Sequence, residues 1–112
     1  MSNRMLKINS EIQRALGDII NYKLDNPGVS GLISVIKVET TADLDICKVY
    51  LSIYNANKEE VMNNIKHSAS FIRKELCNKI ALRKMPHLNF YLDETSEYGA
   101  KIDSLINKIQ KK

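Results

Sequence analysis

The spacing of hydrophobic residues changes period several times along the chain. From residue 4 to 24, Met5, Ile8, Ile12, Ala15, Leu16 and Ile19 recur at spacings of three and four, and Leu24 extends the series. That is one face of a 3.6-residue period and predicts an amphipathic helix. Gly17 is its weak point, costing about 1 kcal/mol against alanine in a helix interior. Asp25-Asn26-Pro27-Gly28 ends it, because proline restricts the residue before it and glycine favours a turn. Residues 32–40, LISVIKVET, are short and rich in β-branched types, which predicts a strand. Thr41-Ala42-Asp43-Leu44 reads as a turn. Residues 45–54 then alternate: Cys47, Val49, Leu51 and Ile53 on one face, Lys48, Tyr50, Ser52 and Tyr54 on the other. Strands joined this closely pair antiparallel.

Residues 58–82 carry the longest helical pattern. Asn57 and Glu60 sit at N-cap and N3 positions, and Val61, Ile65, Ala69, Ile72, Leu76 and Ile80 form the apolar stripe. Phe71 breaks the pattern, lying about 120° from the middle of that stripe in a straight helix. Ser68 and Ser70 stand beside it, and serine weakens a helix interior by offering the backbone competing hydrogen bonds. A bend here that turns Phe71 inward is expected, in preference to a straight helix with a half-exposed Phe71. Pro86 closes the region. Residues 88–93 alternate as a third strand, with Leu88, Phe90 and Leu92 against Asn89, Tyr91 and Asp93. A last helix is expected over 96–109, with Ile102, Leu105, Ile106 and Ile109 as its buried stripe. Three strands make one small sheet, and the helices bury their stripes on one side of it, leaving the second face free. The fold class is α+β.

Composition narrows the classes. A chain of 112 residues suits one domain, 1–112, and 44% apolar content supports a real core. Apolar runs of two or three residues are far short of a membrane span, and the polar start MSNRMLKINS has no secretory h-region. Cys47 and Cys77 therefore read as small core or boundary residues in a reduced, cytoplasmic setting. Together with His67 and His87 they lack the close pair spacings of a zinc site, so no metal or other cofactor is expected. No nucleophile–base pair, paired carboxylates or phosphate loop appears, which argues against an enzyme or a small-molecule substrate. Asp43 and Asp45 fall in the hairpin turn, where aspartate is common for backbone reasons.

Charge is concentrated. Residues 66–87 hold Lys66, Arg73, Lys74, Lys79, Arg83 and Lys84 against Glu75 alone, six minus one or +5, while the whole chain is +4. The remainder is close to neutral, so the segment makes a local field of the kind that attracts a polyanion. A solvated helix exterior has the same composition, so a second feature is needed. The expected bend supplies one: it creates a new helix N-terminus at Phe71, with Arg73 and Lys74 in its first turn, whose free N–H groups suit a phosphate, and small residues there let a backbone approach. Gly28-Val29-Ser30-Gly31 spells the G-x-x-G of a KH domain, but it joins a helix to a strand rather than two helices, and reads as turn chemistry.

The chain resembles the ribosome-binding factor A family over almost its whole length. The resemblance rests on Arg4 and Arg14 in the opening helix, Asp25-Asn26-Pro27, Val38-Glu39, Ala42-Asp43-Leu44 and Lys48-Val49-Tyr50-Leu51-Ser52. It continues through Phe71-Ile72-Arg73, Leu76, Leu82-Arg83, Pro86-His87-Leu88-Asn89-Phe90, Asp93, Gly99, Ile102 and Leu105. It implies a type II KH-like domain, in which a helix kink carrying an Ala-x-Gly pattern replaces the G-x-x-G loop; this chain has Ser68-Ala69-Ser70 there. It also implies a monomeric, non-enzymatic assembly factor. Such a factor binds immature, free small ribosomal subunits through rRNA, assists maturation of the rRNA 5′ end and leaves before translation. The expected RNA contacts are Lys66, Ser68, Ala69, Ser70, Arg73, Lys74, Lys79, Arg83 and Lys84, and charge reversal at Arg73, Lys74 and Arg83 is expected to weaken RNA or subunit binding with little loss of fold. The alternative is a basic protein-interaction module that uses the open sheet face without touching RNA.

Overall fold

A computed structural model of the chain describes residues 3–93, so the helix expected over 96–109 lies outside the described residues. The first helix, α1 (Asn3–Asp18), buries Ile12, Ala15 and Leu16 as the periodicity predicts. It does not run on as one α-helix to residue 24. Just past Gly17 the chain widens into a π-helical turn over Ile19–Lys23, closed by Leu24 N–H donating to the Ile19 carbonyl at 2.9 Å. The Asn21 amide donates to the Gly17 carbonyl at 2.9 Å and across to the Ile33 carbonyl at 3.2 Å, tying the wide turn to the sheet. The wider turn brings two successive isoleucines, Ile19 and Ile20, into the core, which a 3.6-residue period alone would separate by 100°.

Strands β1 (Leu32–Thr40) and β2 (Ile46–Tyr54) pair antiparallel, with Val38 opposite Val49 and Thr40 opposite Cys47. A bulge at Ile36 shifts the register between Val35 and Lys37. In the connecting turn the Thr41 hydroxyl donates to the Asp43 carboxylate at 2.7 Å, and Asp45 N–H donates to the same oxygen at 3.0 Å. Those bonds hold the Asp43 carboxyl below its usual range, the backbone role expected of an aspartate there. Strand β3 (His87–Leu92) lies parallel to β2 at the sheet edge, with Phe90 opposite Val49.

Helix α2 (Lys58–His67) starts where Asn57 accepts from Glu60 N–H at 3.0 Å. Helix α3 (Ala69–Lys79) follows after a single residue, Ser68, so its N-terminus lies at Ala69 rather than at Phe71 as expected, and Arg73 and Lys74 fall just past its first turn. The bend is therefore present, but it does not turn Phe71 inward: Phe71 stays 42% exposed while its neighbour Ile72 is fully buried. One non-helical residue changes the direction of the axis without resetting the phase of the stripe. Val61, Ile65, Ala69, Ile72 and Leu76 stay on one side across the kink. The helix also ends earlier than expected, because Ile80 is already extended.

Every helical stripe packs on the same sheet face, against Cys47, Val49, Leu51 and Ile53 from β2 and Phe90 from β3. This is the α+β layering expected. Burial pushes the Cys47 thiol up, and Cys77, expected in the core or at its boundary, lies exposed on α3. Gly31 sits at φ +85°, and a Cβ there would meet the Tyr54 carbonyl, so a turn requires this glycine. Among the described residues no helix is long and apolar enough to cross a membrane.

Candidate nucleic-acid interface

The kink is built by Ser68. Its backbone, at φ −93° and ψ 8°, leaves the helical region while its N–H donates to both Asn64 and Ile65 carbonyls, at 3.1 and 3.0 Å. Its carbonyl then accepts from Ile72 N–H at 2.9 Å, opening α3. The Ser68 hydroxyl does not cap that helix; it faces the Asn26 amide at 3.5 Å, which reaches the Asn64 carboxamide at the same distance. Asn26 is itself fixed, accepting from Gly28 N–H at 2.9 Å, and a Cβ on Gly28 would collide with the Asn64 amide. The Asp25-Asn26-Pro27-Gly28 turn thus lies against the outside of the kink and braces it. The first turn of α3, with small Ala69 and exposed Ser70, is left without a side-chain cap, where a helix N-terminus favours an anion.

A groove of about 430 Å³ opens beside the kink, lined by Lys66 and Ala69 on one wall and Leu88, Asn89, Phe90 and Tyr91 of β3 on the other. His87 and Asp93 N–H groups both donate inward, to β2 or the turn before it. By the strand's period of two, Leu88 and Phe90 turn their N–H and C=O groups to the free edge that forms this wall. Tyr91 stacks on Tyr50 of the open face, with ring centroids 5.4 Å apart, and Lys37 Nζ stands 5.8 Å from the Tyr50 ring. The groove offers a cation, a carboxamide, a strand edge and an aromatic lip. That set suits a single nucleic-acid strand, whose phosphate needs a cation and whose base needs a stacking plane and an edge to read.

The six basic residues expected here do not converge on the kink. Lys66 lines the groove and Lys74 is exposed on α3. Arg73 is half-buried and donates through Nη2 to the Met85 carbonyl at 2.7 Å and through Nε to the Pro86 carbonyl at 3.2 Å. Lys84 pairs with Asp45 at 3.1 Å. Lys79 closes α3, about 15 Å along the axis from Ala69, and Arg83 lies beyond it; both face α1. The sequence shows how much charge the segment holds but not the helix end that divides it. Asn89 and Tyr91 were visible only as outward positions of an alternating strand; nothing local placed them next to Lys66.

Arg73 also overturns the expectation that its reversal spares the fold. Its two bonds hold the segment that leads into β3. Arg73→Ala is expected to cost about 1–3 kcal/mol, read as a lower denaturant midpoint, because two carbonyls lose a charged donor. Arg73→Lys restores only part, since an ammonium is a point charge and does not span both.

A family model described as Ribosome-binding factor A matches residues 4–106. A ribosome-binding factor A from Clostridium perfringens is 38% identical over 109 residues, covering 95% of this chain and 94% of that protein. One from Clostridium acetobutylicum is 42% identical over 106 residues, covering 93% and 88%. The crystal structure of ribosome-binding factor A from Thermus thermophilus superposes with a TM-score of 0.73 at 21% identity, covering 82% of this chain and 98% of that one. Coordinates of the Thermus protein fitted into a cryo-EM map of its complex with the 30S subunit give 0.66 at 22%, covering 78% and 92%. At those identities the solved structures bear on the fold alone, and the family rests on the sequence matches: the chain belongs to the ribosome-binding factor A family.

Proposed function

We propose that this protein is a non-enzymatic assembly factor that binds free, immature small ribosomal subunits through rRNA. It assists maturation of the rRNA 5′ end and acts in the cytoplasm as a monomer built of one domain, residues 1–112. The observation that carries the reading is the groove between the kink and the edge of β3, where Lys66, Asn89 and Tyr91 meet. Family membership supports it, and so does the Thermus relative described in complex with 30S. Ser68, Ala69 and Ser70 receive a phosphate at the uncapped start of α3, and Lys66, Arg73 and Lys74 add field around it. Lys79, Arg83 and Lys84 contact rRNA away from the kink.

A protein that makes and breaks no bonds assists maturation by binding one rRNA conformation better than others, so that this conformation gains population. The same preference accounts for release, because affinity falls once the mature conformation is reached. Co-sedimentation tests the reading: the protein travels with free small subunits at low salt, is stripped at high salt and is absent from assembled ribosomes. Equal binding to assembled ribosomes, or salt-independent binding to free subunits, contradicts it.

A further inference from the structure

We propose that a second stretch of RNA backbone lies at the far end of α3, in a basic groove between α1 and residues 79–83; this rests on the reading of the protein as an RNA binder. Arg4, Lys7, Glu11, Arg14 and Asp18 follow one another at spacings of three and four and so share one face of α1. Beyond α3 the chain turns extended at Ile80 and passes in front of that face. Two grooves result. One, of about 250 Å³, sets Arg4 and Lys7 opposite Arg83; the other, of about 530 Å³, sets Arg14 opposite Lys79. They share Glu11 and Ala81 and therefore form one channel with an apolar floor.

Charge decides what the channel takes. Five cations face two carboxylates, an excess of three out of the whole chain's +4. An amphipathic helix often neutralises such a stripe itself, through pairs four residues apart, here Lys7 with Glu11 and Arg14 with Asp18. Neither pair forms, and none of the seven charged groups has an ion-pair or hydrogen-bond partner through its side chain among the described residues. Like charges facing each other across a channel repel, and a polyanion entering it relieves that repulsion. Arg4 and Arg14 are about 15 Å apart along the helix, enough to meet several successive phosphates of one strand. The contact carries no base-reading groups, so it positions the RNA without selecting its sequence.

The test uses the full chain and two probes, polyuridylate and purified free small subunits, across a potassium chloride series. The triple change Arg4→Gln, Lys7→Gln and Arg14→Gln keeps good helix formers in α1. It is expected to weaken binding of both probes by about a hundredfold near 0.1 M salt and to flatten the log affinity against log salt line by about two to three units. Glu11→Gln, which removes a carboxylate from the middle of the channel, is expected to tighten binding several-fold, a gain that misfolding cannot imitate. Unchanged affinity and slope in the triple variant overturn the channel, as does weaker binding to subunits at an unchanged slope, which marks a protein contact. Channel-dependent binding to polyuridylate without co-sedimentation on subunits upholds the channel and removes the subunit reading instead.

Discussion

Ile72→Ala is expected to destabilise the protein by about 2–5 kcal/mol, whereas Phe71→Ala, one position earlier, costs under about 1 kcal/mol. The order is the reverse of what side-chain size alone gives. Ile72 is completely buried, packed within the cluster that includes Ile65, Leu76 and the β2 face, and truncating it leaves a cavity in a close-packed layer. Phe71 keeps 42% of its surface exposed, so alanine there removes contacts that water partly replaces. Equilibrium unfolding in urea of both variants and the parent reads the difference directly as midpoints. A large loss in Phe71→Ala and a small one in Ile72→Ala would mean that the kink rotates α3, and the uncapped helix start would then face elsewhere.

Lys66→Glu is expected to weaken binding to free small subunits by tenfold or more near 0.1 M salt, with no change in stability beyond about 0.5 kcal/mol. Lys66 is exposed and supplies the cation of the groove beside β3, so its loss removes a phosphate contact while leaving the core untouched. The reversal does more than deletion, because a carboxylate beside a phosphate repels it; Lys66→Gln is expected to lose less. Filter binding at several salt concentrations separates the two effects. Both variants give a flatter salt dependence than the parent, by about one unit for the contact removed.

The sequence made the layering legible because burial writes itself into periodicity. The alternation Cys47, Val49, Leu51, Ile53 and the stripe Val61, Ile65, Ile72, Leu76 needed no partner to be read, and both sit in the core. Two features were not legible for physical reasons. The π-helical turn at Ile19 depends on Asn21 reaching a carbonyl on β1, a contact between positions twelve residues apart. A large aromatic carries a strong expectation of burial, which favours Phe71 inward, whereas the kink conserves the phase of its neighbours and leaves it 42% exposed. The candidate site was legible in part. Ser68 as the kink followed from serine chemistry in a helix interior. That the Asp25-Asn26-Pro27-Gly28 turn braces this kink did not, since the same residues read fully as a helix stop. Charge composition exposed the surplus in residues 66–87 but not its division by the end of α3, which sends Lys79 and Arg83 toward α1.

On the proposed reading, rRNA lies against the kink and the free edge of β3. Placing a photoreactive benzophenone side chain at Ser70, exposed in the first turn of α3, tests this directly, with the same group at Glu59 in the acidic first turn of α2 as reference. Irradiation on free small subunits is predicted to link the Ser70 position to rRNA and the Glu59 position far less. Equal yields at the two positions, or links from Ser70 to ribosomal protein alone, would contradict the account.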